Sequence, residues 1–347
     1  MTPLKKIIDE IIVAEGPMPL SRYMALCLGH PAHGYYMKKD PFGAQGDFIT
    51  APETSQMFGE LIGVWLTTVW DSMGKPSKFN LVELGPGRGT LMADILRASK
   101  VMPGFREAAQ IHLVEMSHVL TKLQVDSLGN GPNWHEALDT IPEGPMLLVA
   151  NEFFDAIPIV QLEKRDGKWW ERCVGLDSLC LMPTEFDPMV GKDGNILEYS
   201  FQRQEIGVRI GRRLMDYPGA AIIIDYGHLQ NPSGDTLQSM RNHKYVPFTD
   251  MPGESDITSH VNFERMAYAL GLCGAKVLPV MTQREFFLAM GIEQRAAILS
   301  SKADSKTQEI LARSVARLTG ETEMGNLFKV MVATSPDLPI PYPFGTP

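Results

Sequence analysis

The stretch Phe79-Asn80-Leu81-Val82-Glu83-Leu84-Gly85-Pro86-Gly87-Arg88-Gly89-Thr90 decides how the rest of the chain is read. A short apolar run ends in three glycines separated by single residues, and Thr90 to Ser99 then follow a helical pattern. Glycines in such a turn let the backbone approach a ligand closely, and the helix start beyond them offers unpaired N–H groups. Working outward, apolar runs at Ile111 to Glu115, Met146 to Ala150 and Ala220 to Asp225 alternate with helical patterns at His118 to Leu128 and near 202 to 216. Strands spaced by helices imply crossover units and a mostly parallel sheet buried on both faces, so the fold class is α/β, Rossmann-like and doubly wound.

The flanks read differently. Residues 4 to 75 are helical and turn-rich, with amphipathic stretches near 4 to 14, 21 to 28 and 55 to 73 and no strand pattern. Asp166-Gly167, between Val160 to Arg165 and Lys168 to Val174, signals a hairpin that interrupts the core. The last third gives helices near 262 to 271, 283 to 289 and 305 to 318, and strands near 276 to 281 and 326 to 333. The tail from Pro336 is Pro-rich and reads as loose. The expected division is therefore an N-terminal helical segment with a lid over 1–75, and a core over 76–335. The core carries a hairpin insertion at about 160–200 and a loop at 228–262, and the tail covers 336–347.

Of 347 residues 44% are hydrophobic and 21% charged, an ordinary globular balance large enough to bury a core without disulfides. The net charge of −9 and the lack of clustered Lys and Arg argue against nucleic acid as a partner. Four cysteines stand singly, with no metal-ligand spacing, so no metal site is expected. No apolar run reaches the roughly 18 residues that would span a bilayer, and the N-terminus has no targeting pattern, so the expectation is a cytoplasmic protein.

The spacing GxGxG, with Glu83 two residues before the first glycine, departs from the GxGxxG of dinucleotide sites. It points to S-adenosylmethionine (SAM), held at Glu83, Gly85, Gly87 and Gly89, or else to a turn with no ligand. Thr90 stands where GxGxxG wants Gly or Ala, which disfavours an NAD oxidoreductase. Glu115, 26 residues after Gly89 and at the end of the second strand, is placed to accept from both ribose hydroxyls of an adenosine. Asn151, Glu152 and Asp155 follow the strand Met146 to Ala150 and should face the reactive end of the cofactor. Paired carboxylates can hold a guanidinium plane and localise its charge so that one nitrogen becomes nucleophilic. Glu152 and Asp155 are thus the catalytic candidates, with Asn151 beside the cofactor. Asp155 could instead cap a following helix, and Asn151 could be a turn former. Asp225 is either a substrate contact or a turn carboxylate, and His260 a weaker substrate candidate. Thr50, Pro52 and Glu53 fit either the start of a helix or a lid, the latter with Gly43, Gly46 and Phe48 upstream as a mobile cover.

A set of motifs runs nearly the length of the chain. They are Cys27-Leu28-Gly29-His30-Pro31 with Gly34-Tyr35-Tyr36; Gly46-Asp47-Phe48-Ile49-Thr50-Ala51-Pro52-Glu53 with Phe58-Gly59-Glu60; Glu83 to Thr90; Asn151 to Pro158; Ile224 to Gly227; Asp256-Ile257-Thr258 with His260-Val261; Gly291-Ile292; and Met324-Gly325 with Leu327 to Val330. Through them the sequence resembles the MidA-like proteins, class I SAM-dependent methyltransferases. The resemblance implies a seven-stranded class I methyltransferase sheet, with an N-terminal helical segment and inserted lid and hairpin elements. It also implies protein arginine N-methylation, because the family's mitochondrial member acts in the matrix on an arginine of the large core subunit of respiratory complex I. There it forms symmetric dimethylarginine and supports assembly. Glu152 resembles the first glutamate of the loop that clamps arginine in protein arginine methyltransferases. A small-molecule methyltransferase and a non-catalytic SAM-binding assembly factor stay open as alternatives, as does the oligomeric state.

Overall fold

Phe79–Leu84, the first core strand (β1), is buried along its whole length, as a strand covered on both faces must be. The computed structural model describes residues 1–38, 40–41, 43, 47, 50–188, 191–230 and 234–345. Six further strands align with β1: β2 (Ala109–Val114), β3 (Asn133–His135), β4 (Met146–Asn151), β5 (Gly219–His228), β6 (Lys276–Val277) and β7 (Phe328–Thr334). Their order is β3-β2-β1-β4-β5-β7-β6, parallel up to β5, with β7 antiparallel to both of its neighbours. Two-residue strands at Val261–Asn262 and Met281–Thr282 add to β5 and β7. This is the class I methyltransferase arrangement that the resemblance implies. The order reverses between β1 and β4, the switch point beyond which α/β sheets place their ligands.

Successive side chains of these strands point to opposite faces and build two cores. Leu81, Leu147, Val149, Ile222, Ile224, Val330 and Val332 pack under helices Gln56–Ser72, Thr90–Ala98 and Gln283–Ala289. Val82, Leu84, Leu148, Ala150, Ile223 and Met331 pack under helices Phe201–Asp216 and Phe263–Gly271. Both faces are thereby dry, which explains why the strands read as continuous apolar runs.

The chain forms two compact units. The one just described comprises Ile49–Phe154, Gln204–Leu229 and Val261–Pro347. The other comprises Met1–Phe48, Asp155–Arg203 and Gln230–His260, so the N-terminal segment groups with both insertions instead of standing alone up to residue 75. Its core joins Leu4, Ile8, Tyr23, Met24, Tyr35 and Ile257. Helix Pro3–Glu15 starts where Thr2 accepts from Lys5 N at 3.1 Å, and the hairpin Val160–Arg165 to Lys168–Val174 turns at Asp166 (φ +51) and Gly167 (φ +73). A turn with φ above zero at both central residues matches the strand twist.

Several elements depart from the sequence reading. Met18–Pro19 pairs with Cys173–Val174, so the first 75 residues do contain a strand. The stretch 228–262, read as a loop, carries a three-stranded sheet of Gln238–Arg241, Lys244–Tyr245 and Asp256–Thr258. The tail is anchored as well: Leu338 is buried, Trp65 Nε1 donates to the Tyr342 carbonyl at 2.9 Å, and Phe344 packs on the first core. Gly46 and Phe48, invoked for a mobile cover, lie outside the described residues.

Two features of this unit lead to stability predictions. Glu83 is only 2% exposed, and its carboxyl takes the backbone N–H of Met92 in the first turn of helix Thr90–Ala98, whose N-cap residue Gly89 has no side chain to offer. Burial pushes the Glu83 pKa up to about 8, with the Glu115 charge adding to the rise. The folded state thus resists ionising Glu83, and stability present below about pH 4.5 is lost as pH climbs towards 8. Glu83→Gln, which can still accept from Met92, should gain on the wild type across that window by up to about 1.4 kcal/mol per pH unit. Urea unfolding at pH 5, 6.5 and 8 would show this, and a difference flat with pH would refute it. At Gly211 a Cβ would come within 2.0 Å of the Leu270 carbonyl oxygen. Glycine to alanine inside an exposed helix ordinarily stabilises by about 0.5–1 kcal/mol. Here the clash wins, and Gly211→Ala should cost about 1–3 kcal/mol in the same assay.

Candidate active site

The turn after β1 needs its glycines. Gly85, Gly87 and Gly89 have φ of +62, +54 and +80, in the left-handed region that costs other residues energy. Gly85 N donates to the Val114 carbonyl at 3.0 Å, and a Cβ on Gly85 would sit 2.8 Å from the Phe153 ring. Gly89 closes the turn by donating to Pro86 at 2.7 Å. The Gly87 carbonyl accepts from Gln124 Nε2 at 2.8 Å.

Gln124 is a residue that sequence reasoning missed. Fully buried on helix His118–Leu128, it also donates to Glu115 Oε2 at 3.1 Å and accepts from Trp134 Nε1 at 2.8 Å. One amide therefore sets the distance between the glycine loop and Glu115. A signal existed, since Leu120, Gln124 and Leu128 share a helix face at i, i+4, i+8, and an amide in that row has to find partners. The other Glu115 oxygen accepts from Ser117 N at 2.8 Å. Burial raises the Glu115 pKa, and each carboxylate oxygen keeps acceptor capacity for a sugar diol.

Beyond β4 the backbone turns sharply. Glu152 is a non-glycine residue at φ +48, a conformation that costs on the order of 1–3 kcal/mol and persists where surrounding contacts enforce it. Its N–H donates to the Ile224 carbonyl at 2.9 Å, while its Oε1 accepts from Ala51 N at 3.0 Å and from Asn151 Nδ2 at 3.2 Å. Asn151 Oδ1 is buried without a hydrogen-bond partner among the described residues. An orphaned acceptor at the end of β4, a diol-sized acceptor at Glu115 and a glycine loop with no side chains fit an amino-acid-bearing nucleoside such as SAM.

Asp225, within β5, is fully buried; Oδ2 accepts from Phe154 N and Oδ1 from Tyr226 N, both at 2.9 Å. The bond from Phe154 N ties it to the backbone that follows Glu152. Ala51–Thr54 forms one helical turn after Thr50, with Pro52 and Glu53 inside it. Glu53 Oε1 accepts from Thr90 Oγ1 at 2.5 Å, and its Oε2 pairs with Arg88 at 3.4 Å.

Asp155 and His260 belong to the other unit. No helix follows Asp155, so the helix-cap alternative falls away; its Oδ1 accepts from Ala156 N at 2.8 Å within a turn. Arg203, itself buried, donates to the carbonyls of Asp155, Ile157, Ser259 and His260, which fixes these two stretches of backbone to each other. Asp256, cited above only within a motif, accepts from Tyr36 Oη at 2.9 Å. Burial and then the Asp155 charge raise its pKa to about 8.

A profile of S-adenosyl-L-methionine-dependent methyltransferases matches residues 61–281. A Drosophila melanogaster protein named protein arginine methyltransferase NDUFAF7 homolog, mitochondrial, is 34% identical over 370 residues, covering 94% of this chain and 84% of that protein. The Homo sapiens protein arginine methyltransferase NDUFAF7, mitochondrial, is 31% identical, covering 94% of this chain and 82% of its own length. Among solved structures, a likely methyl transferase from Burkholderia thailandensis bound to S-adenosyl-homocysteine superposes with a TM-score of 0.83 at 28% identity, covering 95% of this chain and 91% of that one. Matched along its core by the family profile and along nearly its whole length by these relatives, the chain belongs to the S-adenosyl-L-methionine-dependent methyltransferase family, and S-adenosylmethionine is its cofactor.

Proposed function

We propose that this methyltransferase acts on a protein arginine, with Glu152 receiving the guanidinium. The observation that carries the reading is the left-handed backbone of Glu152 immediately after the strand that ends at Asn151. Strain of this kind, at the carboxyl end of a strand beside the switch point, supports a functional role for Glu152. The names of the Drosophila and human relatives support arginine as the acceptor. The finer identification rests on the family resemblance: the acceptor is an arginine on the large core subunit of respiratory complex I, and the product is symmetric dimethylarginine that serves assembly. By the same resemblance we place the protein in the cytoplasm of a bacterium and its eukaryotic relatives in the mitochondrial matrix.

Gly85, Gly87 and Gly89 would give the cofactor room against the backbone, with Glu83 holding the following helix in place. Glu115 would bind the ribose diol, and the Asn151 oxygen the amino group. When bound, SAM supplies a methyl group on a positively charged sulfur, ready for a single displacement. The protein's share is orientation and electrostatics, and good alignment alone is worth on the order of 7–11 kcal/mol. Glu152 would hold the guanidinium plane through charge-assisted bonds and draw its positive charge towards one side, leaving one nitrogen richer in electrons. Asp155 follows three residues later in the chain and is assigned the second carboxylate; Asp225 supports the turn, and His260 is assigned to the acceptor. Thr50, Pro52 and Glu53 are assigned to the cover of the cofactor.

Two measurements test this. Calorimetric titration should show SAM and S-adenosylhomocysteine binding to the wild type and NADH not binding. Gly87→Val, which places a β-branched residue at φ +54, should weaken both by on the order of 10²-fold. Binding of NADH would overturn the cofactor assignment. Glu152→Gln should retain SAM affinity while transfer to an arginine acceptor falls by on the order of 10²-fold or more. Near-normal turnover in that variant would remove Glu152 from the mechanism.

A further inference from the structure

Ala51–Thr54 is a single helical turn, closed by Thr54 N donating to the Thr50 carbonyl at 3.0 Å. Four residues cannot hold a helical turn in water, because nucleation costs more than one hydrogen bond returns. Pro52 removes a further donor, so the turn takes its shape from what it touches. Contacts hold it at three different places. At its start, the Ala51 N–H, which has no partner inside so short a turn, is taken by Glu152 Oε1 at 3.0 Å. In its middle, Glu53 receives the Thr90 hydroxyl at 2.5 Å and pairs with Arg88 at 3.4 Å, both in the cofactor-loop motif. At its end, the Thr54 carbonyl accepts from Ser314 Oγ at 3.1 Å. Ala51 and Pro52 are buried, so the turn has little room to adjust except as a body.

We propose that Glu53 is a positioning residue that makes the placement of Glu152 depend on the state of the glycine loop. Its carboxylate fastens the turn to Arg88 and Thr90, and the same turn presents the Ala51 N–H that holds the Glu152 carboxylate through Oε1. A cofactor that orders the loop therefore orders the acceptor carboxylate through four residues of backbone. This rests on the reading that Glu152 meets the acceptor, but the link itself is a property of the free protein and can be measured without turnover.

The test is amide hydrogen exchange over residues 51–54 in the full chain, with and without S-adenosylhomocysteine. In the wild type the ligand should slow exchange of these amides by at least about tenfold. Glu53→Ala should exchange faster than the wild type and lose that protection even at ligand concentrations that saturate it, while Glu53→Gln, which can still accept from Thr90, should recover part of it. Where the alanine variant does not fold, Thr90→Val removes the hydroxyl donor from the other side and should also speed exchange at 51–54. Wild-type protection in a folded, ligand-saturated Glu53→Ala or Thr90→Val would overturn the proposal. At saturating SAM and acceptor, Glu53→Ala should also lower kcat on the order of tenfold with the acceptor KM nearly unchanged; a wild-type kcat counts against the link. Normal turnover in Glu152→Gln would instead overturn the function proposed above and leave the exchange result standing, so the two failures are distinguishable.

Discussion

β4 and β5 run parallel, in register from Gly219 beside Met146 to Ile224 beside Asn151, where β4 ends at the switch point while β5 continues to His228. A buried strand end exposes backbone N–H groups to a dry interior, where each unmade hydrogen bond costs on the order of 1–3 kcal/mol. Asp225 meets that demand with one carboxylate, taking Phe154 N with one oxygen and Tyr226 N with the other. Held there, the chain after β4 has to turn at once, and Glu152 takes the left-handed conformation that makes the turn. The strained residue and the buried acid are two parts of one solution, which places the Glu152 carboxylate just beyond β4 and engages the neighbouring acid on β5 in backbone hydrogen bonds.

The sheet was legible in the sequence because burial on both faces leaves nothing polar to blur the pattern. Phe79–Leu84 and Met146–Asn151 could be read within a residue or so of their ends for that reason. The hairpin at Asp166-Gly167 was legible because a primed turn requires those residue types. What escaped were short strands whose pairing partners are remote in sequence. Met18–Pro19 is a strand only because Cys173–Val174 lies beside it, and Asp256–Thr258 only because Gln238–Arg241 does. Two or three residues carry no period of their own, so tertiary contact alone defines them. The grouping of residues 1–48 with 155–203 and 230–260 has the same origin, since contacts between distant segments leave no local trace.

At the site the sequence found the charged residues and misjudged how some of them are used. Glu83 reads as part of the cofactor motif, and its carboxyl also takes the Met92 N–H at the helix start. Asp155 was weighed as a helix cap, but no helix follows it. Gln124 and Arg203 drew no notice because a lone amide or guanidinium in a helix looks like surface. Both are buried, and each gathers several acceptors or donors from segments far apart in the chain. Their importance lies in the number of bonds they make, which only the fold reveals.

The glycine spacing and the acids around it have one electrostatic explanation. In dinucleotide-binding sites the helix start after the glycine turn is kept free for a pyrophosphate, whose charge complements the helix dipole. Here Glu83 takes the Met92 N–H and Glu53 takes the Thr90 hydroxyl, so the protein brings its own acceptors to that helix start. Glu115, raised in pKa by burial, adds a third acid near Glu83. A ligand with two phosphates would find the Met92 N–H already taken and would meet the Glu53 and Glu115 carboxylates near that helix start. A sulfonium cofactor with a net positive charge is drawn to the same arrangement, and its product loses that charge when the methyl leaves. Acceptors and carboxylates gathered at this helix start therefore suit a cofactor that carries positive charge better than one that carries two phosphates.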